Sequence, residues 1–124
     1  MTKKQLVLIV EDDEWVGEGY QTSLNKAGFD TNVVTNGLEA IDSIDGSCPD
    51  VVVLDLFLPG PNGLALIHEI RSHDDLESIP VVMITNSAEQ ISDDELSVYG
   101  VSRLLDKSTM QPQDVVTAVR GALM

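Results

Sequence analysis

The sequence predicts an α/β protein built on an open parallel sheet with helices on both faces. Short β-branched apolar runs alternate five times with longer segments in which apolar residues recur at helical spacing. Crossovers between parallel strands are right-handed, so successive units of this size cover both sides of one sheet. A chain of 124 residues is the size of one ordinary domain, and we expect residues 1–124 to form a single domain.

The five apolar runs are the predicted strands. Three of them are nearly continuous in Val, Ile and Leu, which is typical of strands buried on both faces. The second run is shorter and more polar, so we expect it at an edge of the sheet. In chain order the runs are Leu6 to Val10, Thr31 to Val34, Val51 to Leu54, Val81 to Ile84 and Val101 to Leu105.

Capping signals mark the helices between these strands. Asp13 is placed to cap a first helix that runs to Ala27, with Gly28 at its C′ position. Asn62 precedes the third helix, and Pro112 suits the first turn of the last one. Capping-box spacing, a cap residue followed three positions later by Glu, begins the second and fourth helices at Asn36/Glu39 and Ser92/Glu95.

Composition and charge exclude several functional classes. The chain has 21 Asp and Glu against 7 Lys and Arg, a net charge of −14. Such a field repels phosphate backbones and anionic lipid, so we expect no nucleic-acid or membrane binding by this domain. Divalent cations and basic protein surfaces fit the charge. The lone Cys48 excludes a disulfide scaffold, and no run is long enough to span a bilayer. We therefore expect a cytoplasmic protein.

Polar residues follow four of the predicted strands, where the carboxyl ends of a parallel sheet bind ligands. Glu11, Asp12 and Asp55 cannot all ionise cheaply in one pocket, but a hard divalent cation such as Mg²⁺ resolves the repulsion. One carboxylate is then able to act as a nucleophile toward a phosphoryl group held by Lys107 and the Thr85 hydroxyl. The residues at these strand ends are Glu11, Asp12, Asp13, Asp55, Thr85, Asp106 and Lys107.

Four segments together carry a family resemblance. They are VLIVEDDE, VVVLDLFLPGPNG, PVVMITNS and LLDKS, which occur in this order across nearly the whole chain. The chain resembles the receiver domain of two-component response regulators of the chemotaxis-regulator type. The resemblance implies a flavodoxin-like, doubly wound five-stranded parallel sheet in the order 2-1-3-4-5 with five helices.

The resemblance also assigns roles to the strand-end residues. It implies that Asp55 is the phosphoacceptor and that Glu11 and Asp12 hold Mg²⁺ or Mn²⁺ with it. The backbone carbonyl of Phe57 is the remaining implied metal ligand from the protein. Thr85 is the implied switch hydroxyl.

In the same scheme Lys107 is the ammonium partner of the phosphoryl group, whereas Asp13 caps a helix. The resemblance further implies that the chain assists its own phosphorylation and dephosphorylation and is not a turnover enzyme.

Three positions depart from the family pattern. Ser108 replaces the usual proline after the lysine, so we predict a trans Lys107–Ser108 bond. Leu104 replaces the usual aromatic switch residue, and Asn86 replaces a small residue after Thr85. These departures concern the output of the module more than its phosphorylation.

Two functions other than a phosphorylated signalling module are compatible with parts of the sequence. A receiver-like interaction domain that works without phosphate is motivated by the three departures. An aspartate-nucleophile phosphohydrolase needs a second acid two residues after the nucleophile, where this chain has Phe57.

The implied partners are a sensor histidine kinase or a histidine phosphotransfer protein, together with an unknown output protein. The face formed by the fourth helix, fifth strand and fifth helix, around Leu104 and Val119, is the implied signalling and homodimer surface.

Overall fold

Each predicted apolar run forms a strand in the computed structural model, and a helix follows each strand. The structure describes residues 4–56, 63–72, 78–86 and 92–123, with backbone alone for residues 63 and 64. The elements are β1 (Leu6–Val10), α1 (Glu14–Lys26), β2 (Asp30–Val34), α2 (Gly37–Ser47), β3 (Val51–Asp55), α3 (Gly63–Arg71), β4 (Val81–Thr85), α4 (Asp93–Tyr99), β5 (Val101–Asp106) and α5 (Pro112–Leu123).

The strands form one parallel sheet in the order β2-β1-β3-β4-β5, which confirms the predicted topology. β2 lies at an edge, as its polar composition predicted. The chain direction across the sheet reverses between β1 and β3, where Val10 pairs with Leu54. Such a switch point opens a crevice at the carboxyl edge of the sheet.

Apolar side chains cover both faces of the sheet, because alternate residues of a buried parallel strand point to opposite sides. One layer joins strand residues to α2 and α3, and its members include Leu8, Val10, Leu54, Met83, Ile44, Leu66, Ile67 and Ile70. The other joins them to α1 and α5, and its members include Val7, Ile9, Val53, Ile84, Tyr20, Leu24, Val115 and Val119.

The helix caps agree with the sequence signals. The Asp13 carboxylate accepts hydrogen bonds from the backbone N–H groups of Trp15 and Val16, at 3.0 and 3.3 Å. Gly28, just after α1, has φ +98°, which suits glycine because it has no Cβ to clash. Asn36 and Ser92 accept from the backbone N–H three residues on. These caps set where α1, α2 and α4 begin.

No peptide bond in the described parts of the chain is cis, so the predicted trans Lys107–Ser108 bond is confirmed.

α4 differs from the other helices because none of its residues is buried. Within the described ranges, no helix has the length and apolar character needed to cross a membrane.

We expect opposite effects from adding side chains at two glycines of α1. A Cβ at Gly17 would lie 3.1 Å from Val33 Cγ1 and 3.7 Å from Glu11 Cβ, whereas one at Gly19 has no atom within 4 Å. Gly17→Leu should therefore lower the free energy of unfolding by about 1–3 kcal/mol through overpacking. Gly19→Leu should raise it by about 0.5–1 kcal/mol, because leucine is the better helix former. Urea unfolding of both variants measures the difference, and equal effects would contradict the close packing of α1 on β2.

Candidate functional site

The carboxyl edge of the sheet collects the polar residues that end or follow its strands. Glu11 and Asp12 come directly after β1, Asp55 is the last residue of β3, Thr85 is the last of β4, and Lys107 follows β5. β3, β4 and β5 each extend one residue further than predicted, so Asp55 and Thr85 lie inside the ladder, where pairing fixes their backbones. The ladder therefore fixes the backbones of Asp55 and Thr85, and the other three residues lie directly after a strand.

Three carboxylates meet at this edge. Oxygen atoms of Glu11, Asp12 and Asp55 lie within 4.8 Å of one another. Glu11 is 1% exposed and Asp55 is 6% exposed, whereas Asp12 is open to solvent. The backbone N–H of Glu11 donates to the carbonyl of Val34 at 3.0 Å, which anchors Glu11 to the end of β2. The cluster thus has two acids in the protein interior and one at the protein surface.

The Lys107 ammonium joins the two buried acids. Its Nζ donates to Glu11 Oε1 at 2.9 Å, to Glu11 Oε2 at 3.1 Å and to Asp55 Oδ2 at 3.0 Å. The Lys107 side chain is only 22% exposed. Its backbone N–H donates to the Thr85 carbonyl at 3.0 Å, which ties the residue to the end of β4. The structure therefore brings together Glu11, Asp12, Asp55 and Lys107, as the sequence predicted.

Burial sets the ionisation of the site. Desolvation raises the pKa of Glu11 to about 7; the hydrogen bond from Lys107 opposes this rise, and the charge of Asp55 adds to it. Burial also acts to lower the pKa of Lys107, but its hydrogen bonds to Glu11 and Asp55 outweigh that effect and raise it. The ammonium therefore stays charged at neutral pH. Burial, followed by the charge of Glu11, raises the pKa of nearby Tyr20 to about 12.

The donor set fits a hard divalent cation. Carboxylate oxygens are the ligands that Mg²⁺ and Mn²⁺ prefer, and Mg²⁺ keeps several of its waters. The exposed Asp12 offers such a hydrated ion an entry from solvent, and the buried Glu11 and Asp55 complete the cluster. Asp13 caps α1 and does not belong to the cluster, as predicted.

The structure also shows the surroundings of three other residues that the sequence analysis named, and a fourth lies outside the described residues. Thr85 is fully buried at the end of β4. Leu104 is half-buried and packs against the core layer that contains Met83, and Asn86 is exposed. Phe57, the expected backbone ligand, lies outside the described residues.

A turn after β5 contains two contacts for which the sequence analysis predicted no role. Asp106 Oδ1 accepts from the backbone N–H of Ser108 at 2.9 Å and from Ser108 Oγ at 2.6 Å. The Asp-x-Ser spacing around Lys107 favours such a turn, because an Asp side chain readily bonds the backbone N–H two residues on, and this signal is present in the sequence.

Substitution of Glu11 tests the electrostatics in metal-free buffer. A carboxyl group with a pKa of about 7 when folded, against its ordinary 4.5, holds an extra proton in the folded state between those pH values. Its stabilising contribution is present below pH 4.5 and is lost as the pH rises through 7. Glu11→Gln should match wild type near pH 4.5 and exceed its free energy of unfolding by about 1–3 kcal/mol at pH 8. Urea titrations at the two pH values measure this, and a pH-independent difference would contradict it.

Comparison with known proteins agrees with this geometry. The family model described as the response regulator receiver domain matches residues 7–120. The DNA-binding response regulator MtrA of Mycobacterium tuberculosis H37Rv is 32% identical over 125 residues, which cover 98% of this chain and 52% of MtrA. The transcriptional regulatory protein CseB of Streptomyces coelicolor is 32% identical over 126 residues, covering 99% of this chain and 51% of CseB. The chain thus spans about half the length of these curated relatives.

Solved structures show the same fold. A response regulator from Chloroflexus aurantiacus superposes with a TM-score of 0.88 at 30% identity, covering 98% of each chain. The chemotaxis response regulator CheY4 of Vibrio cholerae also gives 0.88, at 22% identity, covering 98% of this chain and 100% of CheY4. Sequence, sheet order and strand-end residues agree: the chain belongs to the family of response regulator receiver domains.

Proposed function

We propose that residues 1–124 are a single receiver domain that a phosphoryl group on Asp55 switches between two signalling states. The observation that supports this most directly is the Lys107 ammonium, which lies 3.0 Å from Asp55 Oδ2 and 2.9 Å from Glu11 Oε1 in a cluster of three carboxylates. An aspartate beside a fixed cation is suited to receive and hold a phosphoryl group, and a divalent cation held by the neighbouring acids would offset their repulsion of the phosphoryl oxygens.

The proposed donor is a phosphohistidine on a sensor histidine kinase or a histidine phosphotransfer protein. A carboxylate oxygen of Asp55 attacks the phosphorus and forms a new O–P bond. The donor P–N bond breaks, and its electron pair returns to the imidazole nitrogen, which takes a proton from solvent. Lys107 already contacts Asp55, so a small movement brings its Nζ to a phosphoryl oxygen on that residue.

The remaining site residues have supporting roles in this proposal. Glu11, Asp12, Asp55 and the Phe57 carbonyl would hold Mg²⁺ or Mn²⁺, which supplies positive charge against the phosphoryl oxygens. Thr85 is proposed to donate a hydrogen bond from its hydroxyl to the phosphoryl group. Because Thr85 is the last residue of β4, this contact would pull the end of β4 toward the phosphoryl group. The domain would in this way assist its own phosphorylation and dephosphorylation.

The proposed output is a change in protein contacts. α4, β5 and α5 form the face that we expect to contact an output protein or a second copy. Leu104 on β5 packs against the core, and α4 has no buried residue. A shift of α4 therefore exposes little buried apolar area, whereas a movement of Leu104 would disturb the core. We expect α4 to transmit the signal for this reason.

Phosphorylation is tested with acetyl phosphate and Mg²⁺. We expect a labile phosphoryl adduct by intact mass spectrometry on the wild-type chain and none on Asp55→Asn, which lacks the nucleophile. Asp50→Asn is the matched control, because Asp50 is an exposed acid at the opposite edge of the sheet and should leave the adduct intact. Absence of an adduct on the wild-type chain, together with absence of Mg²⁺ binding, would favour the interaction domain that works without phosphate.

Metal binding is tested at two neighbouring acids. Asp12 belongs to the carboxylate cluster, whereas Asp13 caps α1. Asp12→Asn should weaken Mg²⁺ binding about tenfold or more, by removal of one anionic ligand. Asp13→Asn should change it little, because asparagine is an equally good cap. Calorimetric titration gives both affinities, and the fluorescence of the exposed Trp15 gives a second readout. Equal losses in the two variants would contradict the proposed ligand set.

A further inference from the structure

The turn that follows β5 encloses Lys107 in a closed hydrogen-bonded ring. Asp106 Oδ1 accepts from the backbone N–H of Ser108 at 2.9 Å and from its hydroxyl at 2.6 Å. An Asp side chain bonded to the N–H two residues on forms an Asx-turn, which mimics a backbone turn. Lys107 is the central residue of this ring, so its backbone is constrained by its two neighbours.

The same turn is fixed to the sheet on its other side. The Asp106 carbonyl accepts from the N–H groups of Thr109 and Met110, at 3.2 and 3.0 Å, and the Lys107 N–H donates to the Thr85 carbonyl at 3.0 Å. Asp106 itself pairs with Thr85 in the ladder. Asp106 is therefore the residue through which the turn, the sheet and the Lys107 backbone are joined.

A fixed backbone matters at Lys107 because its ammonium makes three short contacts at the end of a flexible side chain. Its Nζ must lie within 3.1 Å of three oxygen atoms on two different residues, at the end of a side chain with four flexible methylenes. A mobile backbone would multiply the conformations lost when these contacts form. No proline ring restrains the chain after the lysine, where this sequence has Ser108, so the restraint observed next to Lys107 is the pair of hydrogen bonds between Asp106 and Ser108.

We propose that Asp106, acting through Ser108, is a positioning residue that holds Lys107 for phosphoryl transfer to Asp55. This inference rests on the proposed function and extends it to a side chain that does not contact the reacting atoms. The Ser108 hydroxyl and N–H hold the pKa of Asp106 below its usual range, so the carboxylate stays an anionic acceptor at neutral pH.

Three substitutions separate the ring from the rest of the turn. Asp106→Ala removes the acceptor and opens the ring. Asp106→Asn keeps a side-chain oxygen for the Ser108 N–H, and Ser108→Ala removes only the hydroxyl. The matched control is Asp114→Ala, because Asp114 is also half-buried and accepts one backbone hydrogen bond, from Gln111 at 2.8 Å, without a link to Lys107.

The first readout is the rate of adduct formation with acetyl phosphate and Mg²⁺. Asp106→Ala should react about tenfold more slowly than wild type, since small misplacements of a catalytic group have effects of this order or larger. The Asn and Ser108→Ala variants should stay within about threefold of wild type, because the ring remains closed. Asp114→Ala should react at the wild-type rate.

The second readout is the ¹H–¹⁵N signal of the Lys107 ammonium, assigned with Lys107→Ala. A held ammonium exchanges its protons slowly, so we expect the signal in wild type, Asp106→Asn and Asp114→Ala and its loss in Asp106→Ala. If Asp106→Ala does not fold, Asp106→Glu replaces it, because the added methylene displaces the acceptor while keeping the charge.

The outcomes distinguish this inference from the function on which it rests. A wild-type chain that forms no adduct contradicts the proposed function, and the ammonium signal still decides the positioning role. A folded Asp106→Ala that keeps both the ammonium signal and the wild-type rate overturns the positioning role alone. Equal losses in Asp106→Ala and Asp114→Ala would also overturn it, because they would reflect general weakening of the turn region.

Discussion

The ammonium of Lys107, held between Glu11 and Asp55, is the interaction on which the site depends. Two carboxylates at 1% and 6% exposure are costly unless they are paired or protonated. Lys107 supplies the pairing from 96 residues beyond Glu11 and 52 beyond Asp55. Removing the cation would leave a buried acid pair, so the residues proposed to act in phosphoryl transfer are also those that constrain the fold at this edge.

The sheet order explains why these particular side chains are used. Neighbouring strands lie about 4.8 Å apart, so β5 is roughly 10 Å from β3 across β4. A cation at the end of β5 reaches Asp55 only through a long side chain, and the Lys107 backbone N–H donates to the Thr85 carbonyl at the end of β4. The turn built by Asp106 and Ser108 supports the backbone end of this long side chain.

The charge of −14 is only partly accounted for by the site. Three acids form the carboxylate cluster and Asp13 caps α1, but many others are exposed on the helices. Only 7 Lys and Arg oppose the 21 acids, and one of them, Arg71, donates to the carbonyls of Ile79, Tyr99 and Gly100. Arg71 thereby connects α3 to the end of α4. The expectation of high salt or a basic protein partner, rather than of nucleic acid, therefore depends on the acids outside the site.

The sequence by itself determined the alternation of strands and helices, the helix caps and the identity of the strand-end residues. These follow from local rules: β-branched runs, the Asp13 and Asn36 caps, and polar residues placed where strands stop. Four of the site residues met as predicted because parallel strands bring their carboxyl ends to one edge. The tertiary structure alone decided the burial of Glu11, the three hydrogen bonds of Lys107, the ring formed by Asp106 and the packing of Leu104. Each of these depends on which strands become neighbours and how deeply they are covered, and those are long-range properties that local sequence patterns do not encode.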